Sequence, residues 1–135
     1  FMVWKGLGTS IILYLAGLQN IPRSYYEAAM VDGANGFQKF TKITIPLLSP
    51  VTFYILITTL IGGFQVFVEV QVMTPSGNGG IGYSAATIVF YLYQKAFESY
   101  QLGYASAIAV ILAIIIFFIT LLNFIGQNKW VKTID

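Results

Sequence analysis

The chain has no cysteine and no histidine among its 135 residues. That removes disulfides, thiolate nucleophiles, the usual zinc ligands and the commonest general base, and leaves little with which to build a hydrolytic or metal site. Charge is also scarce: 9% of residues are charged and 57% are hydrophobic, with a mean hydropathy of +0.77, against about 25% charged in ordinary soluble domains. Water is therefore not the main solvent of this chain. Seven Lys/Arg and five Asp/Glu give a net charge of +2, with no basic stripe of the kind that holds nucleic acid. The sequence opens on Phe1 without a basic n-region or a small-residue cleavage site, so it reads as a piece of a longer protein rather than as a signal peptide.

What is present is long apolar runs. Residues 99–128 carry no Asp, Glu, Lys or Arg, whereas a hydrocarbon core takes only about 20 residues to cross. A transmembrane helix is expected over 102–125. A second uncharged run, Ile43 to Val68, predicts a span over 45–68, with Pro46 and Pro50 near its start, where missing backbone donors cost least. Gly6 to Pro22 is also uncharged and predicts a third, incomplete span within 1–20. The fold class expected is all-α, a polytopic membrane protein.

Topology follows from Lys and Arg, which concentrate in cytoplasmic loops. Arg23, Lys39 and Lys42 fall between the first two spans, Lys129 and Lys132 in the tail, and Lys95 between the stronger spans. The expected arrangement is a cytoplasmic loop at 23–42, an external segment at 73–100 and a cytoplasmic tail at 126–135, with Lys5 near the outer face. The external segment begins with turn formers, Thr74 to Gly82. Ile88, Leu92 and Ala96, flanked by Val89, Tyr93 and Phe97, then suggest an apolar helix face. Its tyrosines suit an interfacial belt. Residues 77–82 formally match G-x-G-x-x-G, but no strand precedes them, and the match is discounted.

The 23–42 loop is the most structured part of the chain outside the spans. Ser24-Tyr25-Tyr26-Glu27 has the form of a capping box, in which Ser24 would cap Glu27, and Asp32-Gly33-Ala34-Asn35-Gly36 provides residues that accept positive φ at a helix end. A further helical turn is expected at Phe37 to Phe40. The sequence then runs through Ile43-Thr44-Ile45-Pro46 into the second span.

Glu27-Ala28-Ala29, Gly33 after three residues, and Ile43 and Pro46 after nine more resemble the EAA motif of ABC importer permeases, written EAA-x3-G-x9-I-x-L-P, with Ile45 in place of the usual Leu. Leu15 to Pro22, Ala96-Phe97 and Gly103 to Ala107 resemble the sugar-type branch, related to maltose and glycerol-phosphate permeases. The resemblance implies a coupling helix that docks on a separate ABC ATPase, which binds ATP and Mg, so this chain itself needs no cofactor. It also implies a second permease subunit, an extracytoplasmic solute-binding protein and a bacterial inner (plasma) membrane location with the C-terminus in the cytoplasm. On that reading Glu27, Ala28, Ala29, Asp32, Gly33, Ile43 and Pro46 form the ATPase-coupling loop. Small Ala28 and Ala29 admit a close partner surface, Glu27 caps its own helix or pairs with a partner cation, and Gly33 turns the chain. No G-x-x-x-x-G-K-[ST] occurs, so hydrolysis belongs to a partner.

For the solute, Tyr54 and Thr58 lie one turn apart in the second span, Gln65 and Glu69 lie toward its outer end, and polar groups at membrane depth face other helices or a wet cavity. These four are the candidate solute pathway; a solvated interfacial acid is the plainer role for Glu69. Ala105, Ala109 and Ala113 form a small-residue stripe suited to helix packing, and Asn123 suits packing or capping. The alternative function is a secondary transporter or channel subunit with no ATPase partner; a membrane-embedded enzyme needs a catalytic constellation that this chain hardly offers.

Overall fold

A computed structural model describes residues 2–74 and 79–127. Among them every regular element is helical: α1 (Met2–Gln19), α2 (Arg23–Val31), α3 (Gly36–Lys39), α4 (Ile45–Leu47), α5 (Ser49–Phe64), α6 (Val68–Met73), α7 (Ile88–Tyr93) and α8 (Leu102–Gln127). Two π turns, Phe40–Thr44 and Gln94–Glu98, extend α3 and α7, and Ile81–Tyr83 is a 3-10 turn. The expected all-α class is what the structure has. The tail charges Lys129 and Lys132 and the turn residues 75–78 lie outside the described residues.

By length and composition α8 alone among the described residues is a complete candidate span, close to the expected 102–125. The second expected span is not one rod. Gly36–Leu47 and Ser49–Phe64 meet the same test only as a pair, bent by 56°. Pro50 explains the break. Without an N–H it cannot donate to the carbonyl four residues back, that of Pro46. The Ser49 hydroxyl donates to that carbonyl instead, at 2.6 Å, and Ser49 is buried. At the other end α5 stops at Phe64, and Gln65 lies in a turn closed by its N–H on the Gly62 carbonyl at 3.1 Å. The span expected over 45–68 is thereby corrected to a helix of 16 residues with a bend before it and a turn after it. The first helix, Met2–Gln19, forms where it was expected, without meeting that test.

The chain divides into two compact units, one of residues up to Leu56 with those from Phe124 onward, the other Ile57–Asn123. In the first, α1 approaches the start of α5 through Gly17, where a β-carbon would stand 2.8 Å from Val51 Cγ2 and 2.9 Å from Leu48 Cδ2. The Tyr14 hydroxyl donates to Thr52 Oγ1 at 3.2 Å nearby, and Phe53 meets Phe124 edge to face at 5.4 Å between centroids.

In the second unit the core is aromatic. Phe90 is 1% exposed, with Phe67 at 6.2 Å; Phe67 in turn lies 4.8 Å from Tyr93 and Tyr93 5.0 Å from Phe97. Gly79 passes so close that a β-carbon there would be 2.7 Å from the Phe90 ring. Thr87 caps α7 by accepting from the Phe90 N–H and donates to the Val66 carbonyl. The face expected from Ile88, Leu92 and Ala96 is therefore only partly right: Ala96 is buried, Ile88 is exposed and Phe90 is the centre. A six-residue helix that passes into a π turn does not keep a 3.6-residue stripe.

Along α8, Ala105 and Leu112 are buried while Ala109, Ala113, Ile111, Phe117 and Phe118 are exposed. The alanine stripe thus meets this chain only at its first member. Asn123 donates to the Ile119 carbonyl one turn back at 2.8 Å, which satisfies the amide within its own helix.

Replacement of Gly17 by leucine is expected to destabilise the full-length protein by about 1–3 kcal/mol, the usual cost of overpacking. Thermal unfolding in mild detergent measures it, and an unchanged midpoint would contradict the close approach of α1 and α5.

Candidate functional site

The 23–42 segment forms a helix, an elbow and a second helix. Pro22, extended at φ −60° and ψ 136°, is the N-cap of α2, and no side chain caps it. The capping box expected from Ser24 and Glu27 does not form. An N-cap residue sits in extended conformation, and Pro22 takes that place, so Arg23 opens the helix and Ser24 is already inside it. Ile21, just before the cap, is 5% exposed and anchors the entry. Glu27 is consequently left exposed on α2, with no hydrogen bond or ion pair among the described residues.

The C-terminal end is a Schellman turn. The Ala34 N–H reaches the Ala29 carbonyl at 2.9 Å and the Gly33 N–H the Met30 carbonyl at 3.0 Å, the paired 6→1 and 5→2 bonds of that motif. Asp32 is the C-cap, and Gly33 takes φ +74° with no atom within 4 Å of a β-carbon position. Gly33 is needed for its backbone angle and not for lack of space, since an L side chain in that region costs roughly 1–2 kcal/mol.

One residue later the chain starts again. The Asn35 side chain accepts from the Gln38 N–H at 2.8 Å, while the Gln38 side chain accepts from the Asn35 N–H at 2.9 Å. This is the capping box of the loop, and it was legible as Asn-x-x-Gln, since asparagine and glutamine fill the same two roles as Ser and Glu. The second helix begins at Gly36, one residue before the Phe37 expected, and continues through the π turn to Leu47. Within the turn the Ile45 N–H donates to the Phe40 carbonyl, five residues back. The Tyr26 and Thr44 hydroxyls are 2.8 Å apart and hydrogen-bonded.

Of the expected coupling residues, Glu27, Ala28, Asp32 and Gly33 are exposed, Ala29 and Ile43 half-buried. A groove of about 350 Å³ is lined by Ala29, Asp32, Ala34, Gln38, Lys39, Lys42 and Ile43. Pro46 is not among its lining residues and lies in α4, before the bend. Around the elbow Met30 is 55%, Phe37 75% and Phe40 54% exposed, and neither α2 nor α3 has a buried residue. The segment thus combines polar groups with protruding apolar side chains.

Of the four candidate solute-pathway residues, Tyr54 lies in the first unit and Thr58, Gln65 and Glu69 in the second. Tyr54, over half exposed, borders a groove of about 320 Å³ with Leu13, Ala16, Gly17, Asn20, Pro50 and Val51. Thr58 is exposed on α5, Gln65 exposed in the turn, and Glu69 half-buried in the first turn of α6. No group of three or more acids, histidines or cysteines is placed to hold a metal among the described residues.

Residues 1–130 match the family of binding-protein-dependent transport system inner membrane components. The chain belongs to that family, and it is a membrane protein. Its relatives include an arabinooligosaccharide transport system permease protein of Bacillus subtilis, 44% identical over 89% of this chain and 38% of the relative. A lactose transport system permease protein of Rhizobium radiobacter is 37% identical over 95% of this chain and 43% of its own length. An sn-glycerol-3-phosphate transport system permease protein of Escherichia coli O157:H7 is 33% identical over 90% and 41% respectively. The chain spans about two fifths of the relatives it matches.

Substituting Asn35 with alanine is expected to cost about 1 kcal/mol at the start of α3, as loss of an N-cap does elsewhere. Amide hydrogen exchange at residues 36–39 should accelerate about fivefold; unchanged exchange would contradict the capping box.

Proposed function

We propose that the chain is part of a transmembrane permease subunit of an ATP-driven ABC importer, and that a sugar or oligosaccharide delivered by a binding protein is its solute. The observation that carries this reading is the 23–42 elbow: a short helix ended by a Schellman turn at Gly33, restarted at Asn35, and joined without interruption to the helix that leads into α5. An ATPase subunit held on the exposed Glu27, Ala28 and neighbouring aromatics would move a rigid body connected to the membrane helices. ATP and Mg belong to that partner. A second permease subunit completes the pathway, and the positive loop 23–42 and tail lie in the cytoplasm of a multi-pass inner-membrane protein.

The sugar assignment rests on the relatives, whose names state arabinooligosaccharides and lactose. Tyr54, Thr58, Gln65 and Glu69 supply hydroxyl, amide and carboxylate groups suited to a polyhydroxylated solute, with Tyr54 beside Asn20 in one groove.

The full-length protein purified in mild detergent should carry a nucleotide-binding subunit with it; its absence would favour an ATPase-independent channel or secondary transporter. Gly33→Val should leave membrane insertion and subunit binding intact while lowering uptake per ATP hydrolysed about tenfold, the effect of a 1–2 kcal/mol backbone penalty at the elbow. Uptake unchanged in that variant would remove the coupling role.

A further inference from the structure

Helix α2 has no buried residue, yet it must hold a fixed orientation if it is to transmit anything. Among the described residues, the one side-chain hydrogen bond that leaves α2 is that between the Tyr26 and Thr44 hydroxyls, at 2.8 Å. Thr44 is 7% exposed and Tyr26 half-buried, so water competes poorly for the bond and its loss strands a buried hydroxyl.

Thr44 departs from a pattern that several other hydroxyls of the chain follow. Ser10, Thr41, Thr52, Thr74 and Ser106 each donate to the carbonyl four residues back, the usual way a hydroxyl is satisfied in a helix. For Thr44 that carbonyl belongs to Phe40, which instead receives the Ile45 N–H across the π turn. The widened turn changes the register at Thr44, and the hydroxyl goes to Tyr26, 18 positions earlier in the sequence.

We propose that the Tyr26–Thr44 hydroxyl pair, set in register by the π turn at Phe40–Thr44, clamps α2 to the helix that enters the membrane, which makes Tyr26 and Thr44 positioning residues for coupling. The clamp closes the open side of the elbow: the backbone joins α2 to α3 through Gly33, and the hydroxyl pair joins them a second time beyond it. Two connections make a rigid lever where one would make a hinge. Its use in transport rests on the coupling reading above; its existence does not.

The test uses the full-length permease, with its ATPase where one co-purifies, in lipid nanodiscs, carrying nitroxides at Gly8→Cys in α1 and Val31→Cys at the end of α2. Pulsed dipolar spectroscopy should give a narrow distance distribution for the parent. Tyr26→Phe and Thr44→Val should each broaden it about twofold, as expected when a single hydrogen bond restrains the helix. The double variant should be no broader than either single, because both remove one shared bond. Thr44→Ser, which keeps the hydroxyl, should restore the narrow distribution. Parent width in Tyr26→Phe, or additive broadening in the double variant, would overturn the clamp; so would a Thr44→Ser as broad as Thr44→Val. If ATP with vanadate fails to move the parent distance while the widths behave as stated, the coupling reading fails and the clamp stands as a property of the fold.

Discussion

The left-handed backbone at Gly33 is the constraint on which the 23–42 segment depends. At φ +74° it closes both Schellman bonds of α2 and reverses the chain soon enough that Asn35 can cap the next helix. A residue with a β-carbon would meet no atom there, so the demand for glycine comes from torsional energy alone. The spacing from Glu27 to Gly33 is then a consequence of helix geometry: α2 needs about two turns before its C-cap, and the glycine follows it. Conservation need not be invoked to see why those residue types stand at that distance.

The same local accounting governs the other breaks. Each backbone donor or acceptor freed by a bend is stabilised by finding a partner within the chain. At Pro50 the Ser49 hydroxyl supplies it; at the end of α2 the Schellman bonds do; in the π turn the Ile45 N–H does. The bent approach into α5 therefore keeps hydrogen bonds on both sides of its breaks.

Much of this was legible in the sequence. Charge-free length sufficed for α8 because a long apolar run has one outcome in a membrane protein, and the EAA spacing located the elbow. What hydropathy could not convey was where α5 bends and stops, since Pro46, Ser49 and Pro50 are equally uncharged and only the hydrogen-bond count distinguishes them. Ser24-x-x-Glu27 has the letters of a capping box, but the extended Pro22 takes the cap and Asn35-x-x-Gln38 carries the box. The apolar face expected from Ile88, Leu92 and Ala96 rests on a periodicity that a six-residue helix is too short to enforce. Phe90 outweighs it through ring contacts with Phe67 and the approach of Gly79, which no periodicity encodes.

The two groups of candidate residues differ in kind. The coupling residues lie within a continuous stretch whose geometry is set by local bonds, so a part of the protein is enough to form them. The solute residues depend on surfaces that this stretch leaves open: Tyr54 and Thr58 are exposed, and so are Ala109 and Ala113 on α8. Exposed hydroxyls on an apolar helix are stable only against other helices or water. A pathway assembled from several helices and a second subunit accounts for both exposures, because its walls close only when the rest of the assembly is present. The geometry of the 23–42 segment is thus encoded locally, whereas the exposed faces of α5 and α8 are left for other helices to cover.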